Sequence, residues 1–182
     1  MIIWLNGTFG AGKTSTAAEL AGILPGVRQF DPEWVGYMLK ANLSDLEFTD
    51  FQQLPPWRTL VPTVMAEVVA LTGQDLIAVQ TVLVESYWRE LQAGLGRLSL
   101  DVFHVLLDAD PEVLAQRIRA DEAERAALEW RLDHLSEFAA ARPWLAADAD
   151  LIVDSTAKSI AEVAKLIAGE LPRRDRAGTV TT

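Results

Sequence analysis

A chain of 182 residues is long enough for one domain with a full hydrophobic core. Half of its residues are hydrophobic and 23% are charged, and its formal net charge of -10 disfavours nucleic acid and anionic membranes as general partners. It has no cysteine, which excludes disulfides, thiolate metal sites and cysteine nucleophiles, and its two histidines stand far apart, which argues against a histidine metal site.

Ile2 to Leu5 is an apolar run that stops at Asn6-Gly7, the pattern of a buried strand. That start is too short for a signal-peptide core, and no stretch approaches the ~18–20 apolar residues of a membrane helix, so a cytoplasmic protein without a membrane span is expected. Gly12 to Leu24 reads as a helix closed by Pro25-Gly26, Val27 to Phe30 as a second strand, and Pro32 to Leu43 as a second helix. Phe51 to Thr72 is helical after Pro55-Pro56, with a kink expected at Pro62. Asp75 to Leu83 carries the third strand, and Glu85 to Leu95 a helix ending at Gly96. Val102 to Leu107 is the fourth strand, Pro111 to Arg125 a helix entered after Asp110, and Glu129 to Ala141 a helix stopped before Pro143. Leu151 to Val153 is the last strand, and Ser159 to Leu171 a closing helix capped by Ser159 or Thr156. The polar, basic run from Pro172 to Thr182 reads as a flexible tail.

Apolar strands alternating with helices predict an α/β protein, with helices on both faces of a mainly parallel five-stranded sheet. One domain over residues 1–171 is expected, with a helical substrate-binding insert at 33–72 and a lid at about 118–131.

Gly7-Thr8-Phe9-Gly10-Ala11-Gly12-Lys13-Thr14 matches the phosphate-loop pattern at every fixed position, between a strand and a helix. Glycines let the backbone bend its N–H groups onto phosphate oxygens, and the following helix aims its positive end at the same place. ATP is the expected ligand: Lys13 reaches the β and γ phosphates, the Thr14 hydroxyl ligates Mg2+, and Ser15 meets the α phosphate.

Asp31 follows the second strand, where ligands of open parallel sheets sit. It either takes a proton from an acceptor hydroxyl or caps the helix that begins with Pro32, and one carboxylate can do both. Gln80 and Thr81, at the end of the third strand, either face the same site or simply close a strand. Arg58 either clamps the acceptor or lies on the surface, and Trp57 either stacks on a base or fills the core. Arg117, Arg119, Arg125 and Arg131 surround a Glu-rich stretch; one of them is expected to neutralise the transferred phosphate, unless pairing with Glu122, Glu124 and Glu129 consumes them all. His104 reads as a packed strand residue, His134 as a solvated one, and Asp108 as an unconvincing second Mg2+ carboxylate.

With the phosphate loop, Asp31, and the run Leu106-Leu107-Asp108-Ala109-Asp110-Pro111-Glu112 leading to Arg117, the chain resembles the small P-loop kinases. That group holds shikimate, gluconate and nucleoside monophosphate kinases and chloramphenicol phosphotransferase. The resemblance implies that Arg117 packs on adenine and that Asp154-Ser155-Thr156-Ala157 forms the adenine-side loop. More narrowly, Asn6-Gly7-Thr8-Phe9 and the Trp130-Arg131-Leu132 region resemble bacterial tunicamycin-resistance proteins, although Gln80-Thr81 stands where Met-Thr is expected. This implies an ATP-dependent phosphotransferase acting on a hydroxyl of tunicamycin or a related nucleoside or sugar. Lys13, Asp31 and Arg131 would then be catalytic, Asp31, Arg58 and Thr81 would meet the acceptor, and the chain would work as a monomer or homodimer. An ATP-binding protein that sequesters the drug, and a housekeeping kinase, are the alternatives.

Overall fold

A computed structural model describes residues 1–172. Five strands, β1 (Ile2–Asn6), β2 (Val27–Phe30), β3 (Asp75–Val79), β4 (Val102–Asp108) and β5 (Leu151–Asp154), form one sheet in the order β2-β3-β1-β4-β5, every pair parallel. The connecting helices are α1 (Lys13–Ile23), α2 (Glu33–Asn42), α3 (Pro55–Thr72), α4 (Glu85–Arg97), α5 (Pro111–Ala120), α6 (Leu128–Asp148) and α7 (Ile160–Glu170). Short 3-10 turns lie at Phe51–Gln53 and Arg125–Ala127. This is the expected α/β phosphate-loop fold.

β1 carries the architecture. Ile3 and Leu5 point into a core shared with Ala17 and Leu20 of α1, Phe138 of α6, and Val163 and Ile167 of α7. Ile2 and Trp4 point the other way, to Trp57, Val61 and Met65 of α3 and Trp88 and Leu91 of α4. A strand buried on both faces must be apolar throughout, as Ile2-Ile3-Trp4-Leu5 is. The chain passes to β2 and β3 on one side of β1, then crosses to β4 and β5 on the other. Ligands of such sheets bind at the carboxyl ends of the strands where the direction switches.

Sequence pattern and structure part at several element ends. β3 stops at Val79, short of the expected Leu83, because β1 turns into a loop at Gly7 and the Asn6 side chain replaces the ladder. Its Nδ2 donates to the Val82 carbonyl at 3.1 Å, and its Oδ1 accepts from the N–H groups of Val82 at 3.0 Å and Gly7 at 2.8 Å. α5 ends at Ala120 rather than Arg125, with extended Asp121 giving its carboxylate to Arg131 at 2.8 Å. α6 does not stop before Pro143 but runs to Asp148. Ala141 and Leu145 are buried in the core, and Asp148 is tied to Trp88, Arg89 and His104. These tertiary contacts outweigh the one helical hydrogen bond a proline removes. α3 continues through Pro62, whose ring lies so close to Gly94 of α4 that a Cβ there would stand 2.8 Å from it.

Ser159, not Thr156, caps α7, in a reciprocal box with Glu162. The tail expected from Pro172 to Thr182 lies outside the described residues, apart from Pro172. Among the described residues no helix is long and apolar enough to cross a membrane.

Candidate functional site

The loop after β1 is bent at three glycines with positive φ: Gly7 at 139°, Gly10 at 76° and Gly12 at 90°. A side chain at Gly7 would also collide with the backbone carbonyl of Leu107 on β4, so the loop is pressed against the carboxyl end of that strand. α1 then begins with no side-chain cap and no acidic residue in its first turn. Its first N–H groups have no carbonyl partner within the helix, so the end of α1 presents donors and a positive dipole to an anion.

Lys13 lies across this loop, donating from Nζ to the carbonyls of Gly7 and Thr8, both at 2.9 Å. Burial lowers its pKa to about 7; Glu33 opposes the shift and Arg131 adds to it. Such an ammonium wants a stronger counter-charge than two carbonyls, and a phosphate would supply one. Thr14 and Ser15 are exposed beside it. Among the described residues no cluster of three or more His, Asp or Glu cages a metal. The set still fits Mg2+, which takes most of its ligands from phosphate and water and can accept a single hydroxyl such as Thr14.

Two carboxylates stand at the start of α2, and one of them, Glu33, lies within electrostatic reach of Lys13. Asp31 is exposed, and its Oδ1 accepts from the Glu33 N–H at 2.9 Å, so it does cap the helix. Glu33, half-buried, accepts from the Tyr37 hydroxyl at 3.1 Å. Burial raises its pKa; the Tyr37 hydrogen bond and Lys13 act against this, while Asp31 and Asp50 add to it. Sequence reasoning overlooked Glu33. The available signal was its place two residues after Asp31, in the first turn of α2.

Thr81 is joined to the loop: its hydroxyl donates to the Gly7 carbonyl at 2.8 Å. Its own carbonyl accepts from Gln52 Nε2 at 2.9 Å. Arg58 in turn donates to the Gln52 carbonyl, binds Glu90 through Nε at 2.7 Å, and lays its guanidinium 4.2 Å from the centre of the Tyr87 ring. Arg58 is therefore neither a surface arginine nor an open clamp; it is buried among these partners. Trp57 does not offer a face to a base. It is fully buried, with its indole N–H on the Pro32 carbonyl at 3.1 Å.

Arg117, Gly10 and Thr156 come together. The Arg117 guanidinium donates to the Gly10 carbonyl at 3.3 Å, the Ser155 hydroxyl at 3.1 Å, and the carbonyls of Ser155 at 2.8 Å and Thr156 at 3.3 Å. The phosphate loop and the loop after β5 are thus pinned to one arginine. Arg131, paired with Asp121, sits 5.3 Å from the centre of the Phe9 ring. His134 is only partly exposed: it packs 5.5 Å from Phe9 and 4.1 Å from Trp130. His104 is packed as expected, with Nδ1 2.9 Å from Asp148. Asp108 is engaged by Arg142 at 2.6 Å, and that arginine carried no sequence signal.

A family model described as an AAA domain matches residues 2–141. Among solved structures, the chain is similar to the tunicamycin resistance protein of Deinococcus radiodurans, at 29% identity, TM-score 0.70, covering 93% of this chain and 94% of that one. It has the fold of a gluconokinase from Sinorhizobium meliloti 1021, at 18% identity, TM-score 0.62, covering 92% and 89%. It has equally the fold of the Mycobacterium tuberculosis APS kinase solved with AMPPNP and APS, at 19% identity, TM-score 0.58, covering 93% and 95%. No curated protein sequence matches significantly. The two resemblances drawn from the sequence, to small P-loop kinases and to tunicamycin-resistance proteins, are both borne out.

Proposed function

This chain belongs to the AAA domain family, and from that premise we propose that it is an ATP-dependent phosphotransferase. It moves the γ phosphate to a hydroxyl of a small acceptor, tunicamycin or a related nucleoside or sugar, and so gives resistance to the drug in the cytoplasm. The observation that carries this proposal is the glycine-bent loop before the uncapped start of α1, with Lys13 laid across it on the carbonyls of Gly7 and Thr8. A cradle for phosphate with a proton acceptor within electrostatic reach of it is what phosphoryl transfer to an alcohol requires.

In this mechanism Lys13 leaves the carbonyls of Gly7 and Thr8 and neutralises the β and γ phosphates. The amides of Thr8 to Thr14 surround the same oxygens, Ser15 meets the α phosphate, and Arg117 and Thr156 border the adenine. Thr14 would hold Mg2+, which would supply positive charge against the γ phosphate. Glu33, with Asp31 beside it, orients the acceptor hydroxyl and takes its proton as the oxygen bonds to phosphorus. The bond to the bridging oxygen breaks, and ADP leaves with that electron pair. Arg131 releases Asp121 and covers the charge spread over the transferred group. Arg58 and Thr81 act on the acceptor indirectly, by fixing Gln52 and the insert against the loop.

Mass spectrometry of tunicamycin incubated with the protein, ATP and Mg2+ tests this. A gain of one phosphate on the drug is expected. Tight binding with the drug's mass unchanged would replace catalysis with sequestration.

A further inference from the structure

We infer that Phe9 is a positioning residue for Arg131: its ring holds that guanidinium beside the phosphate loop, where the arginine recognises the γ phosphate of a nucleoside triphosphate. This deepens the role proposed for Arg131 in phosphate transfer and rests on it. The phosphate-loop pattern fixes two glycines, a lysine and a hydroxyl residue, and leaves the position of Phe9 free. A phenylalanine side chain has no donor to offer a phosphate. Its ring in the middle of such a loop has another use.

Gly7 and Gly10, both with positive φ, bracket Thr8 and Phe9. The turn sets the Phe9 ring against the start of α6. Trp130 lies 5.0 Å from it, tilted, and His134 5.5 Å from it, edge-on. Those two residues are one helical turn apart, with their rings 4.1 Å from each other, and Arg131 follows Trp130 directly. The Arg131 guanidinium stands 5.3 Å from the Phe9 ring centre and the Lys13 ammonium 5.7 Å from it. Both distances fall within the ~6 Å over which an aromatic face attracts a cation. One ring of the loop thus gathers the loop's own cation and a cation of α6.

Two like charges drawn to one ring repel each other. Burial is the main cause of the lowered pKa of Lys13, and Arg131 adds to it against the pull of Glu33. Arg131 is itself largely buried, with one amino group on Asp121 at 2.8 Å and its Nε–H without an acceptor among the described residues. A buried guanidinium donor left unpaired is costly, and a phosphate oxygen is among the acceptors it binds best. A γ phosphate beside Lys13 would separate the two cations and attract both. ADP lacks that group and would leave Arg131 on the ring and on Asp121. With leucine in place of Phe9 the apolar bulk remains but the ring face is gone. Arg131 then keeps Asp121, at the end of α5, and loses its hold on the loop.

The test is calorimetry of the full chain with Mg2+ and either ADP or a non-hydrolysable ATP analogue, for the native protein, Phe9→Leu, Phe9→Tyr, Arg131→Met and the double variant of Phe9→Leu with Arg131→Met. Phe9→Leu is expected to weaken the triphosphate analogue ~10-fold and ADP less than ~3-fold. Phe9→Tyr, which keeps the ring face, should restore most of the difference. The double variant should bind the analogue no more weakly than Arg131→Met alone, because the ring then has no arginine to place. Equal losses for the two nucleotides, losses that add in full in the double variant, or a tyrosine no better than leucine would leave Phe9 a packing residue and overturn the inference. Retained ADP binding reports that each variant is folded. If Phe9→Leu does not bind ADP, Arg131→Met decides: weakening of both nucleotides alike overturns the inference, and selective loss of the analogue, with Phe9→Tyr near native, supports it. If the expected pattern holds while tunicamycin gains no phosphate, the phosphotransfer proposal falls and the placing of Arg131 against a triphosphate stands.

Discussion

Lys13 shows how much one buried charge can report. Its pKa of about 7 lies well below the ordinary 10.5, because burial disfavours the ammonium. Between those two values the unfolded chain holds a proton that the folded one has lost, so this residue's contribution to stability rises with pH across that window. Bound phosphate should restore the proton. Nucleotide binding at pH 7.5 is therefore expected to take up a fraction of a proton, and affinity should weaken as pH rises through about 7. Calorimetry in buffers of different ionisation heat measures this; uptake in the native protein and none in Lys13→Ala is the expected result. The two carboxylates separate in the same way. Glu33→Gln should lower kcat by ~10²–10⁴-fold, the usual worth of a general base. Asp31→Asn, which keeps the capping hydrogen bond, should cost less; steady-state kinetics of the two variants, with the larger loss at Asp31, would reverse the assignment. The phosphate loop was legible in the sequence because its chemistry needs fixed residue types at fixed spacing. Glu33 was not, since the role proposed for it depends on its bond to Tyr37 and on its electrostatic coupling to Lys13, and the Asn6 clamp on Val82 depends on a partner 76 residues away.

Helices and strands were legible where period and burial agree. They were misread where a distant contact decides. Pro143 looked like a helix stop, yet α6 continues because Asp148 at its end is held by Trp88, Arg89, Gln92 and the ring of His104. This cluster fastens α4 and α6 to β4. Burial raises the pKa of Asp148, but the hydrogen bonds from Trp88, Arg89 and His104 outweigh it and leave the pKa lowered. Burial lowers that of His104, and Asp148 only partly offsets this. Asp148→Ala would leave the Trp88 and His104 nitrogens without their acceptor, and should destabilise the protein by roughly 2–4 kcal/mol in urea unfolding. Because His104 is held below its ordinary value of 6.5, the unfolded chain binds its proton first. Stability from this group is present above about pH 6.5 and is lost as the pH falls below it. Unfolding at pH 7.5 and 5.5 reads the loss directly.

At the scale of the molecule, alternation of apolar runs and helical segments was enough to infer a parallel sheet covered on both faces. Strand order was not in the pattern. That β1 lies at the centre follows from Ile2 and Trp4 feeding one core and Ile3 and Leu5 the other, which the bare run Ile2-Ile3-Trp4-Leu5 only suggests. The same placement sets the cleft. From Gly7, hydrogen bonds lead through Thr81 and Gln52 to Arg58 and Glu90, so the helical segment that carries Gln52 and Arg58 is built onto the phosphate loop rather than hung beside it. A binding protein needs only that the loop fill; an enzyme also needs the proton acceptor to meet the phosphate. The most direct measurement is the fate of label from γ-labelled ATP in the presence of Mg2+ and tunicamycin. Label should pass to the drug with the native protein and fall by on the order of 10²–10³-fold with Lys13→Ala. Label that stays in ATP while the drug and nucleotide are both bound would contradict phosphate transfer.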